Sequence, residues 1–341
     1  MLISAGYLTQ ESLSKLARLL NKPSSSFSFH SLPRSFSALP ASTIILETNL
    51  ADDHSDFDLS FQFLKHDQHQ LLLTLEQGAL NPLLSHSSWQ KVLAFCQHWP
   101  SFVTDTWLEM DQSEHHKPLP LPCFFFDVTT LKVPGDFNHS QFFSPLAQLL
   151  GNEMTASLQP ALLHTIHALP PNTGFYQIGV MLARHQDRVR LFTLPMKQQE
   201  AFEWLDQLKW LTDLPPHKKQ KDHALFPVTL DCMVDVDVTQ EGTPEKVGFN
   251  IGLTEAQLSP FMDHLTAQGW CTPAKNALVT QWKESCGVFP GKEAGYCALI
   301  HQLSHIKITF QKDHSPTFKV YLKSSLHSFK KQLLQASTSS F

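Results

Sequence analysis

Ser304-His-Ile-Lys-Ile-Thr-Phe310, followed after a polar turn by Thr317-Phe-Lys-Val-Tyr-Leu322, reads as two adjacent strands, each with two unlike faces. Side chains along a strand alternate between the sides of a sheet, so Lys307 and Thr309 share one face and Ile306, Ile308 and Phe310 the other. In the second segment Lys319 and Tyr321 are set against Phe318, Val320 and Leu322. A face of lysines and a tyrosine suits an anion, and the apolar face suits burial under helices.

The same division recurs along the chain. Strands are expected at residues 43–50, 57–64, 70–76, 103–111, 121–128, 174–184, 188–194, 228–236 and 246–253. Their selected polar faces carry Glu47 and Asn49; Asp58, Ser60 and Gln62; Thr74 and Glu76; Trp107, Glu109 and Asp111; Arg188 and Arg190; Asp231 and Asp235; and Lys246 and Asn250. Helices are expected at 87–98, 145–168, 198–211, 255–268 and 273–282, then between Gly291 and the opening hairpin, and at 325–334. This gives five units of helices and a strand pair, the first with one extra strand. Short turns such as Gln186-Asp187 demand antiparallel pairing, because a parallel neighbour needs a long crossover. About ten strands exceed what an open twisted sheet usually holds, so the sheet should close. The expected fold class is α+β: a closed antiparallel barrel of about ten strands, built from repeated helix-plus-hairpin units with the helices outside. Residues 1–40 form an N-terminal helix and a Ser/Pro-rich lead-in, 41–335 a single helix-clad barrel domain, and 336–341 a disordered tail. Two competing arrangements are a half-exposed sheet whose polar face meets water and two α+β domains split near Pro170-Pro171.

Composition narrows the partners. With 341 residues, 42% hydrophobic, 17% charged and 25 Phe, the chain has ample core, and disorder throughout is excluded. A net charge of −5 leaves no general basic surface, and the one basic run, residues 217–221, reads as a solvated loop after Pro215-Pro216, so nucleic acid is not expected. The six cysteines lack any CxxC or zinc-like spacing and read as reduced core residues. No apolar run approaches the length of a membrane span and no signal-peptide pattern opens the chain, which places the protein in the cytoplasm. Nineteen histidines fall into no HExxH or comparable pattern, so no metal site is expected.

These features resemble the aromatic prenyltransferase barrel, or ABBA fold. The segment Asp56-Phe-Asp-Leu-Ser-Phe-Gln-Phe63 with Leu71-Leu-Leu-Thr-Leu-Glu-Gln-Gly78 resembles the first strand pair of the indole prenyltransferases, and Phe318-Lys-Val-Tyr321 with Lys307 resembles that family's Lys-x-Tyr pattern. The likeness covers most of residues 43–322 in topology but only these fragments in sequence. Asp58 stands where the family commonly has glutamate, and one Lys-x-Tyr element replaces several. The resemblance implies a transferase moving an isoprenoid from an allylic diphosphate to an aromatic or peptide acceptor in the lumen. It implies that Arg188, Arg190, Lys307, Lys319 and Tyr321 hold the diphosphate, that Asp58 or Glu109 takes the acceptor's proton, and that Trp107 and Tyr176 shield the carbocation. No cofactor is required, Mg being an option because the family includes members of both kinds, with Asp231 and Asp235 as conceivable ligands that suit a solvated strand better. The rival reading is a non-catalytic barrel of the same shape that binds an anionic small molecule or a protein partner.

Overall fold

The computed structural model describes residues 5–27, 34–78, 80–115, 117, 120–131, 138–151, 156, 158–184, 188–210, 231–241, 246–289, 296–311 and 314–328. Its strands are β1 (Thr43–Asn49), β2 (Asp58–Leu64), β3 (Asp105–Met110), β4 (Cys123–Asp127), β5 (Phe175–Val180), β6 (Val189–Thr193), β7 (Met196–Lys197), β8 (Asp231–Val238), β9 (Lys246–Ile251), β10 (Glu284–Val288), β11 (Cys297–Gln311) and β12 (Thr317–Ser328). Ten of them close a ring in which every neighbouring pair is antiparallel: β12, β1, β2, β3, β4, β5, β6, β8, β9, β11 and back to β12. The remaining two are spurs. β7 extends the edge of β8, and β10 pairs with the first part of β11, whose second part meets β9.

The helices are α1 (Ala5–Leu20), α2 (Gln68–Glu76), α3 (Ser87–Gln97), α4 (His139–Leu150), α5 (Leu158–His167), α6 (Gln198–Gln207), α7 (Glu255–Ala267) and α8 (Pro273–Thr280). Capping chemistry sets several starts. Asn138 accepts the Gln141 N–H at α4, and Thr272 accepts the Lys275 N–H at α8 with Pro273 in the first turn. Aromatic contacts show where the helices lie: Phe95 of α3 meets Phe124 and Phe126 of β4, and Phe202 of α6 meets Phe249 of β9. Phe125, between Phe124 and Phe126, instead lines the interior cavity. The helices therefore cover the face opposite the lumen, and the core is the annulus between the two layers. Helix α1 joins that annulus through the fully buried Leu8 and Leu16 and through its Ser12 hydroxyl, 2.8 Å from Ser324 of β12.

Four expectations need correction. Residues 70–76 are helical, not a third strand, and bury Leu71, Thr74 and Leu75 at the i, i+3, i+4 spacing of a helix face. The helical region expected at 145–168 is two helices, with α4 starting at His139 and ending at Gly151, whose φ of 60° breaks it. Where a helix was expected after Gly291, the chain is already in β11 from Cys297, and residues 325–328 continue β12 instead of opening a helix. The lysine run at 217–221, the turn at 186–187, the rest of the terminal helix and the tail at 336–341 lie outside the described residues.

Candidate functional site

Inside the ring the polar faces of the strands converge. Register fixes which groups become neighbours: Glu47 sits between Tyr321 and Asp58, Ser60 beside Glu109, Lys307 between Lys319 and Asn250, and Arg190 beside Asp237. Two glycines make room for large groups there. A Cβ on Gly179 would overlap the Phe125 ring, and one on Gly248 would overlap both Asp235 and Lys307.

The charged groups form a chain of ion pairs. Lys307 Nζ donates to Asp235 Oδ1 at 2.7 Å, and Asn250 Nδ2 donates to the other oxygen of that carboxylate at 2.8 Å. Arg190 grips Asp237 with two bonds, 2.6 and 2.9 Å. Lys319 Nζ lies 2.5 Å from Glu47 and 3.6 Å from Asp58, which also accepts the Gln112 N–H at 2.8 Å. Arg184 donates to Glu109 at 2.9 Å and binds both oxygens of Asp111. Each of these cations is thus already neutralised by a carboxylate, which the strand pattern did not foretell.

Burial and neighbouring charge tune the carboxyls in opposite directions. Burial would raise Glu47, but the Lys319 and Lys307 ammoniums overcome it and hold the group down at about 2. Asp58 is pushed up to about 6 by burial and by Glu47, against Lys319. Glu109 is pushed up to about 7, because burial and the carboxylates of Glu47, Asp111 and Asp58 outweigh an Arg184 shared with Asp111. A carboxyl that titrates near neutrality can take a proton from a substrate and release it again.

A cavity of about 240 Å3 occupies the lumen. Its wall contains six of the expected site residues: Glu109, Arg190, Lys307, Tyr321, Trp107 and Tyr176. Asp58 and Lys319 belong to the adjoining ion-pair chain and not to the wall, and Arg188 is also outside it. The Tyr321 ring stacks on His305 with centroids 4.0 Å apart, and Phe125 meets Phe192 edge-on at 6.0 Å, beneath a Lys307 ammonium 5.7 Å from the Phe192 centroid. These rings supply the π-rich wall that the sequence pattern left thin.

Several participants escaped the sequence reading. Asp237 follows the alternation of its strand and was within reach of it, whereas Arg184 lies in the turn beyond the end of β5, and His305, Phe125 and Phe192 look like ordinary strand residues until the barrel closes. Lys246 was placed on the polar face but given no role. It is half-buried, without a carboxylate partner among the described residues, and burial together with Arg190, Lys307 and Lys319 lowers its ammonium to about 8. Asp235, expected on a solvated strand, is buried and doubly hydrogen-bonded, while Asp231 is exposed. The two therefore do not form a metal site. Glu109, Asp111 and Cys123 bring ligand atoms within 4.8 Å of one another, but the Arg184 guanidinium already bonds both carboxylates and a buried thiol is a poor partner for Mg. The donor set does not fit Mg.

No protein-family model matches the chain, and no curated protein matches it. Solved structures share its architecture. The apo crystal structure of the prenyltransferase PriB superposes with a TM-score of 0.53 at 12% sequence identity, over 94% of this chain and 96% of that one. PriB bound to product diphosphate gives 0.54 at 11% identity, and its ternary complex with L-tryptophan and dimethylallyl thiolodiphosphate gives 0.52 at 11%, both over the same shares of the two chains. The chain has the barrel fold of the aromatic prenyltransferases.

Proposed function

We propose that the barrel transfers an isoprenoid from an allylic diphosphate to an aromatic acceptor held in the lumen. The observation that carries this reading is that Glu109, titrating near neutrality, shares one aromatic-walled cavity with Arg190, Lys307 and Tyr321. The C1–O bond of the donor breaks with its electron pair leaving on the diphosphate, whose growing charge Arg190, Lys307 and Lys246 stabilise. The Tyr321 hydroxyl, kept protonated by burial and by Glu47, donates to a phosphate oxygen. The allylic cation rests against Phe192, Trp107 and Tyr176 until a ring carbon of the acceptor attacks it, and the displaced ring proton passes to Glu109. Asp58, outside the cavity wall, acts on Glu47 and Lys319 and so sets the field around that step.

A second reading, a barrel that binds an anionic small molecule without turning it over, is favoured by the pairing of Lys307, Arg190 and Lys319 with carboxylates, which weakens their pull on a leaving group. The cysteines, none of them disulfide-bonded, support a reducing, cytoplasmic setting, and no helix among the described residues is long and apolar enough to cross a membrane.

The experiment is thermal unfolding with dimethylallyl, geranyl and farnesyl diphosphate, with inorganic diphosphate as control, followed by a transfer assay with an indole acceptor. A melting shift with one prenyl diphosphate and formation of a prenylated product support the transferase. A shift without product favours the binding barrel, and no shift with any prenyl diphosphate at millimolar concentration discards the transferase for a barrel that binds another anion.

A further inference from the structure

A one-residue bulge decides what β11 presents to the cavity. The register of β11 with β12 slips between Leu303 and His305, so Leu303 pairs with Leu322 while His305, in place of Ser304, pairs with Tyr321. The slip carries through to Lys307, which pairs with Lys319. Ser304, His305, Lys307 and Tyr321 all line the cavity. The imidazole is held at two points: it stacks on the Tyr321 ring with centroids 4.0 Å apart, and its Nδ1 lies 3.1 Å from the Ser304 hydroxyl. Its Nε2 has no partner among the described residues. Charge reaches the ring from several strands. Lys307 on β11 opposes its protonation, while Glu47 on β1 and Asp235 on β8 favour it, although each is already bonded to a lysine. On β12, Lys319 and Lys323 flank a Tyr321 hydroxyl that stays protonated. Burial and Lys307 prevail: the imidazole titrates at about 4 and is neutral near pH 7.

We infer that His305 is a ligand of the diphosphate: as the anion settles beside Lys307, the imidazole takes a proton from the buffer onto Nε2 and donates it in a hydrogen bond to a phosphate oxygen. The inference rests on the reading above that a diphosphate enters beside Lys307 and Arg190. Lys307, Arg190 and Lys319 spend their charge on Asp235, Asp237 and Glu47. A multiply charged anion entering there needs positive charge that is not already committed, and a neutral imidazole supplies it only when the anion arrives. One unit charge about 4 Å away, at an effective dielectric near 20, raises the proton affinity of an imidazole about a thousandfold, and a diphosphate brings more than one such charge. The Ser304 hydroxyl suits both states, because it accepts from Nδ1–H whether Nε2 is bare or protonated. When the C1–O bond of the donor breaks, the imidazolium lies against the oxygens on which charge grows, and when diphosphate departs the proton returns to solvent.

Magnetic resonance of protein carrying isotope-labelled histidine nitrogens, titrated with inorganic diphosphate at pH 7, reads the ring directly, since bare and protonated ring nitrogens differ in chemical shift. The His305 signals are those lost in His305→Asn and in His305→Phe. The free protein should show one bare nitrogen at His305 and the saturated complex none. Calorimetry of the same titration in two buffers of different ionisation enthalpy should give a proton uptake about one greater for the unmodified protein than for either variant. Both variants should bind inorganic diphosphate about tenfold or more weakly, the range of one charge-assisted hydrogen bond. Phenylalanine keeps a ring against Tyr321, so undiminished binding by His305→Phe would make the imidazole a mere support for that tyrosine and overturn the inference. A bare nitrogen that persists in the saturated complex, or equal proton uptake in all three proteins, would overturn it too and leave the transferase reading standing. Absence of diphosphate binding also overturns it, and the melting shift with the prenyl diphosphates then shows whether the transferase reading falls with it.

Discussion

Lys307 and Asp235 meet as a buried ion pair at 2.7 Å across a position, residue 248 of the intervening strand, that has no side chain. Gly248 pairs with Asp235 on one side and Thr309 on the other, and any Cβ there would overlap both charged groups.

Gly248→Ala should therefore destabilise the fold by about 2 kcal/mol, the cost of overpacking a filled interior. Urea denaturation of the variant measures it. Unchanged stability would mean that the pair relaxes freely and that the glycine is incidental.

If Lys307 served only to hold a diphosphate, Lys307→Ala would remove function and leave folding intact. The ion pair changes that expectation, since the substitution leaves Asp235 charged and buried at a cost of about 3–5 kcal/mol. The double variant Lys307→Met/Asp235→Leu should recover most of this loss, because both charges leave together. A double-mutant cycle on the melting temperature decides it, and simple additivity would contradict the coupling.

Lys246 offers the opposite case. With no carboxylate among the described residues depending on it, Lys246→Ala should cost little stability yet weaken prenyl diphosphate binding about tenfold, read from the ligand-induced melting shift. Because its ammonium titrates at about 8, the same shift in the unmodified protein should shrink as pH rises past that value. A shift constant from pH 7 to 9 would take Lys246 out of the donor site.

Asp58 and Glu109, raised to about 6 and about 7, hold protons more tightly folded than unfolded. Their contribution to stability is complete below their ordinary values, near pH 4, and is lost as pH rises through about 7. Glu47, held at about 2, works the other way: its contribution stands above the ordinary range and disappears in strong acid. Melting curves should therefore fall from pH 5 to 8, and Glu109→Gln should flatten that fall. In a transfer assay the rate should climb with pH through about 7, and this limb should vanish in the same variant. Parallel melting profiles for the two proteins would show that Glu109 does not titrate in this window.

What the sequence disclosed followed from the period of two. It separated Tyr321 from Leu322 and Ile306 from Lys307, so the closed barrel and its polar lumen were readable, as were Glu109 and Tyr321 as lumen groups. Local pattern failed at residues 70–76, where a run of leucines fits either period and the burial of Leu71 and Leu75 by α3 and its surroundings settled on helix. The ion pairs were illegible for a different reason. Lys307 and Asp235 are 72 residues apart and Lys319 and Glu47 are 272 apart, and alternation says which face a charge takes but not which charge it meets.

The seam between β1 and β12 has a consequence for how the molecule assembles. Seven register pairs, from Thr43 with Ser325 to Asn49 with Lys319, join segments from opposite ends of the described chain. Until they zip, β1 and β12 each present an unpaired edge, and the Glu47–Lys319 bridge cannot exist. Closure is therefore the late, slow event in folding, governed by the search of one end of the chain for the other. Any lesion in β12 would leave a long curved sheet with two sticky rims, prone to join its neighbours instead of itself.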